Sequence, residues 1–109
     1  MPARLRLLTP EEVATADDRA LTKHYLALLA RRVPGRSVEV RVPPYAAVQC
    51  IEGVRHTRGT PPAVVETDPE TWLALATGRL AWSAALDSGR VRASGERTDL
   101  SAHLPLEDV

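Results

Sequence analysis

Residues 68–95 read DPETWLALATGRLAWSAALDSGRVRASG, and this run sets the architecture. Asp68 can cap a helix, Pro69 suits the first helical position, and Glu70 and Thr71 follow in the first turn. Trp72, Leu75 and Ala76 then fall at i, i+3 and i+4, on one helical face. Gly78 is a natural left-handed stop. A second short helix, Ala81 to Ser88, is expected to end the same way at Gly89. The strand Arg90 to Ser94 follows, with Val91 and Ala93 on one face and Arg90, Arg92 and Ser94 on the other. Two short apolar helices are thus delivered onto a strand, and the run contains no catalytic constellation.

Working back from there, Ala63 to Thr67 reads as a strand, and Gly59-Thr60-Pro61-Pro62 as a loop before it. Val54 to Arg58 reads as another strand, with Val54, His56 and Arg58 on one side. Tyr45 to Ile51 is apolar on both faces except at Gln49, which predicts a central strand. Ser37 to Val42 alternates, with Val38, Val40 and Val42 pointing one way, as a half-buried strand does. Pro43-Pro44 stops it. Upstream, Thr9-Pro10-Glu11-Glu12 is a capping box, and Asp17-Asp18 offers a second helix start. Leu21, Tyr25, Leu28 and Leu29 make an apolar stripe, which Pro34-Gly35 ends. One bent helix and two separate helices both fit. Residues 1–8 read as a flexible end. Downstream of Gly95, Asp99 can cap a brief turn through His103, with Leu104 and Leu106 closing the core. Helices, strands, helices and a strand in that order predict an α+β fold. The expectation is a mainly antiparallel sheet of about five strands covered on one face by short helices.

This order resembles the second half of the sterol carrier protein 2 family, on Asp68, Pro69, Trp72, Leu73, Leu75, Ala76, Gly78, Leu80, Ser88, Gly89 and Gly95. RVPPYAAVQCIEGVRHTRGTPPAVVE, residues 41–66, is similar to the small stand-alone bacterial branch of that family. The likeness runs from about Ser37 to Leu106. It implies an SCP-2-like fold and a cavity between sheet and helices for a fatty acyl or sterol-like ligand. One departure stands out: where the family often opens the second short helix with Asn-Pro or Asp-Pro, this chain has Ala81-Trp82. A cap is lost and a large indole is placed beside the cavity.

Charge and composition narrow the rest. The 109 residues suit one domain, 1–109, and bury about two-thirds of the unfolded surface. Fourteen basic and fourteen acidic residues cancel, and a nucleic-acid binder needs a basic excess. One cysteine, Cys50, excludes an internal disulfide, and zinc-ligand spacing is missing. No run approaches the roughly 18 apolar residues of a membrane span. A cytoplasmic protein without cofactor or metal is expected.

Three groups of residues could carry function. Val48, Val65, Trp72, Leu75, Leu80, Trp82, Leu86 and Val91 could line a hydrophobic pocket, or simply fill the core. Arg55, His56 and Arg58 gather cations and an imidazole that could hold a carboxylate or phosphate headgroup. Cys50 with His56 would need an electropositive setting to act as a nucleophile, and the alternation around Cys50 reads as a buried small hydrophobe. His24 and His103 read as lone surface or capping residues. A lipid or other hydrophobic small molecule is the expected partner. The alternative is a non-catalytic interaction module with a filled core that pairs with itself or another protein.

Overall fold

The computed structural model describes residues 5–53 and 63–106. The order of elements is α1 (Pro10–Thr15), α2 (Asp18–Arg32), β1 (Val38–Val42), β2 (Ala46–Cys50), β3 (Ala63–Thr67), α3 (Pro69–Ala76), α4 (Trp82–Asp87) and β4 (Val91–Ser94). A short 3-10 turn, Ser101–His103, follows. The fold is α+β, as expected. The segment before β1 is two helices. Thr9 and Glu12 close a capping box on α1, and the Asp17 side chain accepts from the Ala20 N–H to start α2.

Among the described residues the sheet has four strands, in the order β2-β1-β3-β4. The fifth strand expected at Val54 to Arg58 lies outside the described residues. β1–β2 and β3–β4 are antiparallel, and β1–β3 is parallel. The registers align one face through all four strands: Val38 pairs with Cys50 and Ala63, Val40 with Val48 and Val65, Val65 with Ala93, and Thr67 with Val91. This face meets the helices. Val38, Val40, Val42, Cys50, Val65 and Val91 are all buried. The other face is polar, with Arg41 paired to Glu39, and Arg92 paired to Glu66 across strands at 2.8 Å.

The expectation of a central strand at Tyr45 to Ile51 depends on the neighbour expected at Val54 to Arg58, which lies outside the described residues. Among the described residues β2 stands at the sheet's edge. Its second apolar position, Ala47, pairs with Arg41 on the solvent face, and Gln49 pairs with Glu39. A small residue is compatible with either face, so the composition of β2 does not demand two covers. The turn between β1 and β2 contains a cis Pro43–Pro44 bond and closes with the Tyr45 N–H donating to the Val42 carbonyl at 3.0 Å.

α2 presents Thr22, Tyr25, Leu26 and Leu29 to the core, the i, i+3, i+4, i+7 spacing of a helix packed on one side. α3 is buried from Thr71 through Ala76. It packs against α2 as a core helix, so it shows no solvent-facing side in those turns. Its start depends on Asp68, whose carboxylate accepts from the Thr71 N–H at 2.7 Å and the Thr71 hydroxyl at 2.9 Å. Burial pushes the Asp68 carboxyl up, but the hydrogen bonds from Thr71, the residue's own N–H and the Arg90 charge together hold the group below its ordinary value. The folded value lies below the unfolded one, so this stabilisation is present above the ordinary carboxylate range and fades as pH falls through the folded value. Asp68→Ala should therefore lower stability by about 1–2 kcal/mol at pH 7. The gap from the parent should shrink below about pH 4. Urea melts of both proteins at pH 7 and pH 3 would show this; a gap that grows on acidification would refute it.

No helix among the described residues is long and apolar enough to cross a membrane.

Candidate functional site

Each short helix ends in the same motif, and the two endings shape a hollow. At the end of α3, Gly78 N–H donates to Leu75 O and Arg79 N–H to Ala74 O, with φ +80 at Gly78. At the end of α4, Gly89 N–H donates to Leu86 O and Arg90 N–H to Ala85 O, with φ +75 at Gly89. Both are Schellman closures, for which glycine at the left-handed position is the preferred residue. They turn the chain sharply twice, so α4 lies over only part of the sheet. Val91 is buried beneath the helical layer, while Ala93, two residues on and on the same face, is exposed.

The uncovered end forms a groove of about 710 Å³, open to solvent. Leu75, Gly78 and Leu80 come from the end of α3 and its turn, Ala81, Trp82, Ser83, Leu86 and Asp87 from α4 and its cap, and Ala93 from β4. The far wall is Thr98, Asp99, Ser101, Leu104 and Pro105. That wall is tied back by Leu106: its N–H donates to the Ala76 carbonyl at 2.9 Å, and its carbonyl accepts from the Arg32 guanidinium at 2.6 Å. One contact is at the end of α3 and the other at the end of α2. Asp99 accepts from the Ser101 N–H at 2.9 Å, which starts the 3-10 turn.

Four of the residues proposed from sequence as pocket lining, Leu75, Leu80, Trp82 and Leu86, meet in this groove. Leu86 is the one large hydrophobic residue left exposed among those described, at 39%. Val65, Trp72 and Val91 sit in the core, and Val48 packs half-buried against it from the edge strand. The two tryptophans thus do different things. Trp72 is 1% exposed, and its indole N–H donates to the Thr22 carbonyl on α2 at 3.3 Å. Trp82 is 7% exposed, stands in the groove wall, and its Nε1 has no hydrogen-bond partner among the described residues. As the sequence implied, Ala81 supplies no side-chain cap to α4.

Besides Gly78, Ala81, Ser83 and Asp87 within the α3–α4 run, sequence reasoning missed Ala93 and the wall from Thr98 to Pro105. Strand alternation puts Ala93 on the face of Val91; no local periodicity marks the wall from Thr98 to Pro105, which the ties at Leu106 bring there.

The remaining candidates separate cleanly. Arg55, His56 and Arg58 lie outside the described residues. Cys50 is buried in the core, and burial pushes its thiol up to about 11, so it stays protonated at neutral pH. His24 sits edge-on to Tyr25, and its Nδ1 accepts from the Leu8 N–H at 2.9 Å; burial lowers its pKa. That bond docks the segment before α1. A second, polar hollow of about 380 Å³ lies among Pro43, Glu66, Thr67, Asp68, Gly89, Arg90 and Arg92. Its charged groups already have partners: Arg92 holds Glu66, Arg90 donates to the Thr71 hydroxyl, and Asp68 caps α3. Among the described residues, no group of three His, Cys, Asp or Glu side chains could hold a metal ion.

A family model described as "Bacterial SCP ortholog" matches residues 14–106 of this chain, a span that includes every element from α2 onward and both walls of the groove. A search of curated proteins finds no match.

Proposed function

The chain belongs to the bacterial SCP orthologue family, and from that premise we propose that it is a non-catalytic carrier that binds a hydrophobic small molecule in the groove between α4, β4 and residues 98–105. The observation that carries this reading is the groove itself. Its volume, about 710 Å³, is in the range of small-molecule sites, which run from about 300 to 1,000 Å³. Its floor and near wall are leucine, alanine and indole, with hydroxyls and carboxylates confined to a few positions. An apolar chain lying against Leu80 and Leu86 would leave water together with them, and such burial is favourable. Exposed Leu86 is explained by the same reading, because a bound chain would cover it.

Nile red, an uncharged lipophilic dye, tests the proposal. It should bind the parent protein with a blue-shifted, enhanced emission, and an added lipid should displace it. Ala93→Trp places an indole on the groove floor at an exposed strand position. It should weaken dye binding at least tenfold while leaving the urea midpoint near that of the parent. Dye binding of equal strength in Ala93→Trp would place the site elsewhere. Absence of binding by any hydrophobic probe, together with a sharp dimer in light scattering, would favour an interaction module instead.

A further inference from the structure

The helical layer carries a polar contact that neither the core nor the groove requires. Ahead of α1, residues 5–9 reach α2 as a strap, and the Leu8 N–H donates to His24 Nδ1 at 2.9 Å, sixteen residues on. Leu5, Leu7 and Leu8 are half-buried, and Leu5 packs against the core. His24 stands outside the α2 stripe of Thr22, Tyr25, Leu26 and Leu29 that meets the core. It shares a second face with Leu21 and Leu28, at i, i+3 and i+7, and both leucines are half-buried.

The imidazole can accept at Nδ1 only while that nitrogen carries no proton, which makes Nε2 the proton-bearing one. In the imidazolium both nitrogens are donors, so an Nδ1–H would face the Leu8 N–H, donor against donor. Burial lowers the His24 pKa, with no contribution from a neighbouring charge. On α2, the charged groups of its face are Asp17 and Arg31, each seven residues and so about 10 Å away along the axis. Tyr25 meets the ring edge-on. The strap and α1 bring Arg6, Glu11 and Glu12. Arg6 and Glu12 hold each other through two hydrogen bonds of 3.0 Å, and Asp17 is occupied as the cap of α2. Among the described residues no carboxylate stands within ion-pair distance of the ring to stabilise its charged form.

We infer that His24 is an acid-released latch: neutral, it holds the strap on α2; protonated, it lets the strap go and uncovers the face of Leu21 and Leu28. The latch joins a segment ahead of the family-matched span, which starts at residue 14, to a helix within it, and it is independent of what the groove holds. Release returns His24 to water and its ordinary pKa of about 6.5, above the docked value. The released population is therefore small above that range. It gains at most about tenfold for each pH unit below it, until the docked ring protonates as well.

Amide exchange followed by NMR tests the latch at pH 7.5 and pH 5.0, with each rate divided by the intrinsic rate at that pH. Protection at Leu8 should fall at least about fivefold on acidification, while protection at Val65 in β3 stays within about twofold. In His24→Asn, whose side-chain oxygen can accept and does not titrate, Leu8 protection should change by less than about twofold. In His24→Phe it should be low at both pH values. The imidazole nitrogen shifts give a readout that needs no variant: at pH 7.5 the ring should be the Nε2–H tautomer. A ring protonated at Nδ1 at pH 7.5 would overturn the latch. Leu8 protection unchanged at pH 5.0, or an equal fall in His24→Asn, would do the same. So would a parallel loss at Val65, which would mean that the whole domain loosens in acid.

Discussion

Trp72→Ala is expected to lower the unfolding free energy by about 4 kcal/mol, the range for emptying a fully buried aromatic site. Trp72 is the largest completely buried side chain in the protein, 1% exposed, and projects from α3 toward α2. Its N–H is tied to the Thr22 carbonyl on α2. Alanine removes the ring, leaves a cavity that neighbouring Leu26, Leu29 and Leu75 can only partly close, and deletes the donor. In a domain of this size the loss corresponds to a fall in Tm of about 15 °C or more. Trp72→Phe separates the contributions, since it keeps an aromatic ring and removes the N–H. It should cost roughly 1–2 kcal/mol, near the value of one buried hydrogen bond and a modest loss of volume. Chemical denaturation of the three proteins provides the measurement. An alanine variant within 1.5 kcal/mol of the parent would mean that Trp72 is not the keystone of the α2–α3 contact.

Gly35→Ala should be nearly as damaging, at on the order of 3 kcal/mol, for a reason that has nothing to do with lost contacts. Gly35 has φ +149, and a Cβ there would lie 2.1 Å from the Ile51 carbonyl oxygen and 2.4 Å from the Glu52 nitrogen. Those are backbone atoms, and they are pinned. The Ile51 N–H donates to the Val33 carbonyl at 2.8 Å, and its own carbonyl accepts from the Ser37 N–H at 3.0 Å. Together these bonds fasten the end of β2 to the link between α2 and β1. To admit a methyl group, the protein must break one of them or shift the link. Amide exchange should report this locally, with faster exchange at Ser37 and Ile51 and unchanged protection in β3. If exchange at those two amides stayed as slow as in the parent, the close approach at Gly35 would not be a structural requirement.

The sequence was most legible where a structure is decided within a few residues. The caps at Thr9, Asp17 and Asp68 and the stops at Gly78 and Gly89 all depend on local hydrogen bonds, and each was readable in advance. The alternation of Val38, Val40 and Val42 likewise showed which face of β1 meets the core. Strand neighbours were not legible in this way. Nothing in Ala46–Cys50 states which strands flank it, because Ala47 is small enough for either face. Nor does Ala63–Thr67 announce that it runs parallel to β1. These facts are set by pairing between distant segments. The candidate site divides along the same line. Leu75, Leu80, Trp82 and Leu86 were legible from the α3–α4 run. Thr98 to Pro105 was not, since that wall exists only because Leu106 is held by residues far away in the chain.

The contrasting settings of the two tryptophans equip the protein with its own optical reporter. With Trp72 replaced by phenylalanine, all remaining indole emission would originate at Trp82. Occupancy of the groove could then be followed by shifts in wavelength or by shielding from an aqueous quencher, with no dye attached and no label introduced.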